Sequence, residues 1–244
     1  MIYVFGDSWS AVNHFQADCY PWPSVVNEKY KIPVTNFAAA GNSNQQILDN
    51  VIHASIVNAE EKVDHVIVPF TSVDRFTIPG DACNIELCVV AEFNEYTWYG
   101  DIQKLIFNEH DAESLMYQTR MKLHAIKSIV QSTWNCNTTF LPVFEDCKYW
   151  KKYPMSLLSI MHYKETGHKF VHDAPVYECG LYQVVNTFGV EWCDKHLGPN
   201  YERVYFERTN YIDESKYFDD TLHLTNAGHE KIAEYLIENN IILD

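Results

Sequence analysis

The stretch His65-Val66-Ile67-Val68-Pro69-Phe70 is β-branched and almost unbroken in its apolar character. A strand with one wet face alternates apolar and polar residues. A strand that runs apolar throughout is covered on both faces, as strands of a parallel sheet are. The chain on either side supports such a sheet. Upstream, Ile2–Phe5 closes on Gly6-Asp7-Ser8 and reads as a buried first strand with a tight turn. Val34–Phe37 reads as a second strand, followed by Ala38-Ala39-Ala40-Gly41. Ser43 stands three residues before Gln46, a capping-box spacing. The helix it opens carries Leu48, Val51, Ile52, Ser55, Ile56 and Ala59 at helical spacing.

Downstream, a long helix is expected over Ala112–Trp134, with Met116, Leu123, Ile126 and Val130 on one side. Thr139–Phe144 follows as a fourth strand, which Pro142 confines to an edge or a strand end. Thr225–Asn239 is amphipathic through Ala227, Ile232, Ala233, Leu236 and Ile237. Strands alternating with helices predict an α/β fold, its parallel sheet held between helices. A chain of 244 residues suits a single domain over 1–244. Two irregular insertions, about 76–111 and 145–216, break the alternation and are expected over the sheet's carboxyl edge. The aromatics of the second, Tyr149, Trp150 and Tyr153 among them, either pack a satellite core or line a sugar or acyl pocket.

Charge excludes some partners. Thirty-three acidic residues against eighteen basic ones leave a net charge of −15, which repels a phosphate backbone and argues against nucleic acid. No apolar run approaches the ~20 residues of a membrane span, so no membrane insertion is expected. Met1 runs directly into the first strand without a basic leader, so synthesis in the cytoplasm is expected, with release by lysis or assembly into a virion left open. Seven cysteines without a Cys-x-x-Cys pair read as reduced, mostly buried thiols. His162, His168 and His172 have a spacing a metal could use, but no carboxylate or thiol pattern completes a site. No metal is expected. Gly6 and Gly41 stand alone rather than in a phosphate loop, so nucleotide binding has no support.

Two short stretches carry chemistry. A serine placed directly after the first strand, Ser8, sits on the sheet rim where its hydroxyl can be exposed; it can equally be a turn or capping serine. Asp220 and His223 stand three apart just before the last helix. A carboxylate so placed can accept a hydrogen bond from imidazole Nδ1–H and leave Nε2 to take a proton from a serine. The same spacing suits a capping aspartate followed by an incidental histidine.

Val4-Phe5-Gly6-Asp7-Ser8, Asn36-Phe37-Ala38-Ala39-Ala40-Gly41-Asn42-Ser43 and Asp220-Thr221-Leu222-His223-Leu224-Thr225-Asn226-Ala227-Gly228-His229, running on into Ile232-Ala233, together resemble the GDSL/SGNH hydrolase family. The blocks come in the family's order and cover a little over half the chain. The resemblance implies a three-layer α/β/α sandwich of SGNH/flavodoxin-like kind and ester hydrolysis through an acyl-enzyme on Ser8. It makes His223 the general base and then acid, and Asp220 the orienting anion. The backbone N–H groups of Ser8 and Gly41 become oxyanion donors, and neither metal nor organic cofactor is needed.

One block departs from the family. Gly-x-Asn-Asp usually follows the third strand, its asparagine amide a further oxyanion donor, whereas here Thr71-Ser72-Val73-Asp74-Arg75 puts Val73 at that position. Valine cannot donate. The hydroxyl of Thr71 or of Ser72 could substitute, and Arg75 either reaches into the site or pairs with Asp74 or another surface acid. Asp7 is expected to stabilise the turn, and His229 to pack or cap. The expected activity is removal of small O-acyl groups from a carbohydrate or other polar substrate. The alternative is a catalytically weak or silent glycan-binding module on the same scaffold, as a phage recognition component could use.

Overall fold

In the computed structural model, residues 1–11, 20–71, 75–78, 85–88, 112–143 and 224–242 are described. In chain order the elements are β1 (Ile2–Val4), α1 (Trp22–Lys29), β2 (Val34–Asn36), α2 (Asn44–Val57), β3 (His65–Phe70), β4 (Arg75–Ile78), β5 (Ile85–Cys88), α3 (Ala112–Trp134), β6 (Asn137–Pro142) and α4 (Asn226–Glu238). Four of the strands form one all-parallel sheet in the order β2-β1-β3-β6. Ile2 lies opposite Val34 on one side and His65 on the other, and His65 lies opposite Asn137.

The period of two along the strands divides the core into two layers. Ile2, Val4, Ile67 and Leu141 face one way and pack under Trp22, Val25 and Val26 of α1 and Ile232, Ala233 and Leu236 of α4. Tyr3, Phe5, Val66, Val68 and Phe70 face the other way, under Ile47, Val51 and Ala54 of α2 and Leu123, Ile126 and Val130 of α3. The sheet is thus covered on both faces, which is why β3 carries no polar face. Its one polar residue, His65, is buried with Nε2 at 2.8 Å from Thr139 Oγ1.

Connection handedness makes a crevice. The chain leaves β1 through α1 on one face to reach β2, then returns through α2 on the opposite face to β3, on the far side of β1. The strand order therefore reverses between β1 and β3. In open α/β sheets ligands bind at such a switch point, outside the carboxyl ends of the two strands. Pro69 sharpens it. Phe5 N donates to Ile67 O at 3.0 Å, so by alternation residue 69 also faces β1, where proline has no N–H to offer. The pairing stops there, and the chain turns away at Gly6.

Several elements differ from the sequence expectation. α1 was not foreseen. β6 begins two residues earlier than Thr139 and ends at Pro142, at the end of the four-stranded order. The stretch read as irregular from residue 76 contains β5 and most of β4, which pair antiparallel with Arg75 opposite Cys88. The buried stripe of α2 is Ile47, Val51 and Ala54, while Ile52 and Ile56 of the expected face are 40% and 73% exposed. Burial at i, i+4 and i+7 follows the packing of α2 on the sheet and α3. The insertion over 145–216 lies outside the described residues.

Candidate active site

Ser8 leaves the carboxyl end of β1 in a tight turn built by its neighbours. Asp7, fully buried, accepts at Oδ1 from Trp9 N (3.0 Å), and its carbonyl accepts from Ser10 N and Ala11 N, each at 3.0 Å. Asp7 is therefore the turn-stabilising acid expected from the sequence. Ser10 is fully buried too: its Oγ accepts from Trp22 Nε1 (3.0 Å) and its carbonyl from Asn36 Nδ2 (2.7 Å). Ser8, 6% exposed, takes no part in this bonding: among the described residues neither its hydroxyl nor its N–H has a partner. A capping or turn-forming role is thus filled by Asp7 and Ser10, not by Ser8.

The turn after β2 is tied to the same place. Gly6 O accepts from Asn42 Nδ2 (2.9 Å) and from Ala39 N (3.2 Å), and Asn36 Oδ1 accepts from Ala38 N (3.0 Å). Gly41 sits at φ 83°, a left-handed conformation that a side chain strains. It is exposed, and its N–H has no partner among the described residues. Directly after it Ser43 caps α2 in the expected capping box. Gln46 N donates to Ser43 Oγ (3.3 Å) and Ser43 N to Gln46 Oε1 (2.9 Å).

Thr71 follows β3, on the other side of the crevice. Both backbone groups of Thr71 are held by one side chain: its N donates to Asn44 Oδ1 and its O accepts from Asn44 Nδ2, each at 2.9 Å. Its hydroxyl, by contrast, is buried without a partner, on a residue only 1% exposed. An unsatisfied buried hydroxyl costs about 1–3 kcal/mol, so such groups are few and call for a reason.

Three of the donors expected from sequence, on Ser8, Gly41 and Thr71, thus stand at the carboxyl ends of three neighbouring strands. Arg75 opens β4 rather than lying in a loop. Ser72, Val73, Asp220 and His223 lie outside the described residues, as do His162, His168 and His172. The residue after His223 is described. Leu224 is buried in one cluster with Trp9, the residue after Ser8. Beyond it Thr225 caps α4, accepting from Gly228 N (3.4 Å), and Asn226 Oδ1 accepts from Tyr20 N (2.7 Å). His229 is buried on that helix, as expected of a packing residue.

Asn36, Asn42 and Asn44, which brace the three turns, received no role from the sequence. Asparagine is so common at turns and caps that its presence beside Gly41 and Ser43 carried no separate signal. Among the described residues no group of three His, Cys, Asp or Glu is placed to hold a metal ion, and no helix is long and apolar enough to cross a membrane.

Comparison with known proteins gives structural likeness only. No protein-family model matches the chain, and no curated protein does. Its structural neighbours across nearly the full length are lipolytic hydrolases of the GDSL/SGNH kind. One is a member of the lipolytic protein G-D-S-L family from Veillonella parvula DSM 2008, at 11% identity and TM-score 0.45, covering 99% of this chain and 98% of that one. A lipase/acylhydrolase from Enterococcus faecalis is similar at 13% identity and TM-score 0.41, over 98% and 93%. The lipase Lip_vut3 from a goat rumen metagenome is similar at 13% and 0.43, over 97% and 95%. The fold of this chain stands on its own strand order and register.

Proposed function

We propose that the protein is a serine ester hydrolase working through an acyl-enzyme on Ser8. The observation that carries this reading is a serine at the sheet's switch point whose hydroxyl and N–H are left unused by the turn that holds it. Asp220 and His223 supply the acid–base pair in this reading. It is supported by the shared burial of Leu224 and Trp9, the residues that follow His223 and Ser8.

The steps follow from the groups. His223 Nε2 takes the Ser8 proton as Oγ bonds to the acyl carbon, and the carbonyl π pair moves onto its oxygen. That oxyanion accepts from the N–H groups of Ser8 and Gly41 and from the Thr71 hydroxyl. Preorganised donors cost no reorganisation when the charge appears, and one such donor is worth roughly 10²–10³ in rate. Collapse of the intermediate breaks the bond to the alcohol, which leaves with the proton held on His223, and water then repeats the sequence on the acyl-enzyme. Asp220 accepts from Nδ1–H and holds the tautomer. The substrate class is a small O-acyl ester of a carbohydrate or similar polar alcohol, supported by the anionic chain and its aromatic-rich 145–216 segment.

The test is hydrolysis of p-nitrophenyl acetate and butyrate by wild type and Ser8→Ala, with intact-mass detection of a fluorophosphonate adduct. Turnover and adduct are both expected in the wild type and absent in Ser8→Ala, with thermal unfolding nearly unchanged. A folded wild type with neither turnover nor adduct would favour a silent glycan-binding module. Val73 at the usual donor position is the feature that motivates that second reading.

A further inference from the structure

We infer that Asn44 is a positioning residue of this site, acting through Thr71: its carboxamide grips both backbone groups of Thr71 and so fixes the Thr71 hydroxyl as a donor to the oxyanion. The inference rests on the hydrolase reading above.

Three observations carry it. First, the grip is complete. Asn44 Nδ2 donates to Thr71 O and Asn44 Oδ1 accepts from Thr71 N, each at 2.9 Å, and both residues are nine-tenths buried or more. A planar carboxamide paired with one residue's N–H and C=O fixes the position of that backbone. Second, the grip removes the other donor Thr71 has. With its N–H given to Asn44, only Oγ1–H remains to bind an oxyanion, and Oγ1 has no partner. Third, Asn44 is itself held rigidly. It is the first residue of α2, directly after the Ser43 capping box, and Gly41 stands three residues before it in the turn tied to Gly6. The Gly41 N–H and the Thr71 hydroxyl are thereby anchored to one helix terminus.

The chain has valine where the resembling family has an asparagine amide as donor. Here an asparagine is supplied from a different element. It does not touch the oxyanion but sets the hydroxyl that does. An amide on a loop is replaced by a hydroxyl on a strand end, braced from the opposite side of the crevice.

The experiment is a double-mutant cycle on p-nitrophenyl acetate hydrolysis, using Thr71→Val, Asn44→Ala and the pair together. Each single variant is expected to lower kcat about 10²-fold, with KM within about threefold, because a donor used only in the transition state is lost. The double variant is expected within about twofold of the weaker single variant, since both remove one interaction. Independent, multiplying losses, or an unchanged kcat in Asn44→Ala, would overturn the inference. Should Asn44→Ala fold poorly, N44D decides. Its carboxylate still accepts from Thr71 N but repels Thr71 O, and protonation restores the donor. The ratio of N44D to wild-type kcat is then expected to rise as pH falls through the carboxyl titration; a flat ratio would overturn the inference. Wild type that neither turns over ester nor labels on Ser8 sinks the hydrolase reading and this inference together. Turnover and labelling with multiplying losses sink this inference alone.

Discussion

Gly6 is glycine because of what stands around it. A Cβ there would lie 3.2 Å from both Cβ and Oγ of Ser10 and 3.3 Å from Cβ of Pro69. Ser10 is pinned by Trp22 and Asn36, and Pro69 belongs to the central strand, so neither has an easy way to yield. Gly6→Ala is expected to lose about 1–3 kcal/mol of stability by overpacking. The check is a lower urea midpoint at unchanged slope; an unmoved midpoint would mean that the turn relaxes freely. Lys122 offers a second test at this scale. Burial on α3 pushes its ammonium below the usual lysine range, with Asp49 of α2 pulling weakly the other way. The folded state thus binds this proton less readily than the unfolded chain does. Stability rises with pH from the lowered folded value up to the ordinary 10.5. Lys122→Met is expected to be more stable than wild type at neutral pH, and the gap should shrink as pH climbs through that window. A gap that is constant with pH would contradict the assignment.

Among the elements, α2 shows how capping and burial divide the work. Its capping box satisfies two backbone N–H donors at the terminus that faces the crevice. Ser43→Ala is expected to lose about 1 kcal/mol, measurable by urea unfolding. Along the same helix, Ile47→Ala should lose about 2–5 kcal/mol while Ile56→Ala stays within about 0.5 kcal/mol. Equal losses at the two positions would show that α2 lies in a different rotation. The sequence locates this helix, its cap and the buried Val51, but it puts Ile52 and Ile56 on the inner face in place of Ile47 and Ala54, because the two neighbouring stripes are equally apolar. Only the neighbours decide between stripes one position apart. α3 was legible from end to end, since twenty-three residues leave room for a strong period. α1 was hidden by brevity and by Pro21 and Pro23, which read as turn residues although proline suits a helix's first turn. β4 and β5 do alternate, Arg75-Phe76-Thr77-Ile78 and Ile85-Glu86-Leu87-Cys88, but four residues are too few to stand out. At the site, Ser8, Gly41 and Thr71 could be read as strand ends, whereas Asn44 could not, because its partner is twenty-seven residues away.

For the molecule as a whole, a net charge of −15 sets an electrostatic background. Self-repulsion in the compact state is relieved by screening, and the Debye length shrinks from about 30 Å at 0.01 M salt to about 8 Å at 0.15 M. Adding salt over that range is expected to raise the unfolding temperature by a few degrees, roughly what 1 kcal/mol does for a chain of this size. A fall instead would point to ion pairs outweighing repulsion. The hydrogen bond from Tyr20 N to Asn226 Oδ1 joins residues 206 positions apart, and α4 closes the layer that α1 only half covers. During synthesis, then, every described strand of the sheet has emerged long before the last helix. Throughout that interval Ile67 and Leu141 lack the cover that Ile232, Ala233 and Leu236 give them in the folded protein. Contacts this distant form late and slowly, so a newly made chain stays prone to aggregation until α4 docks.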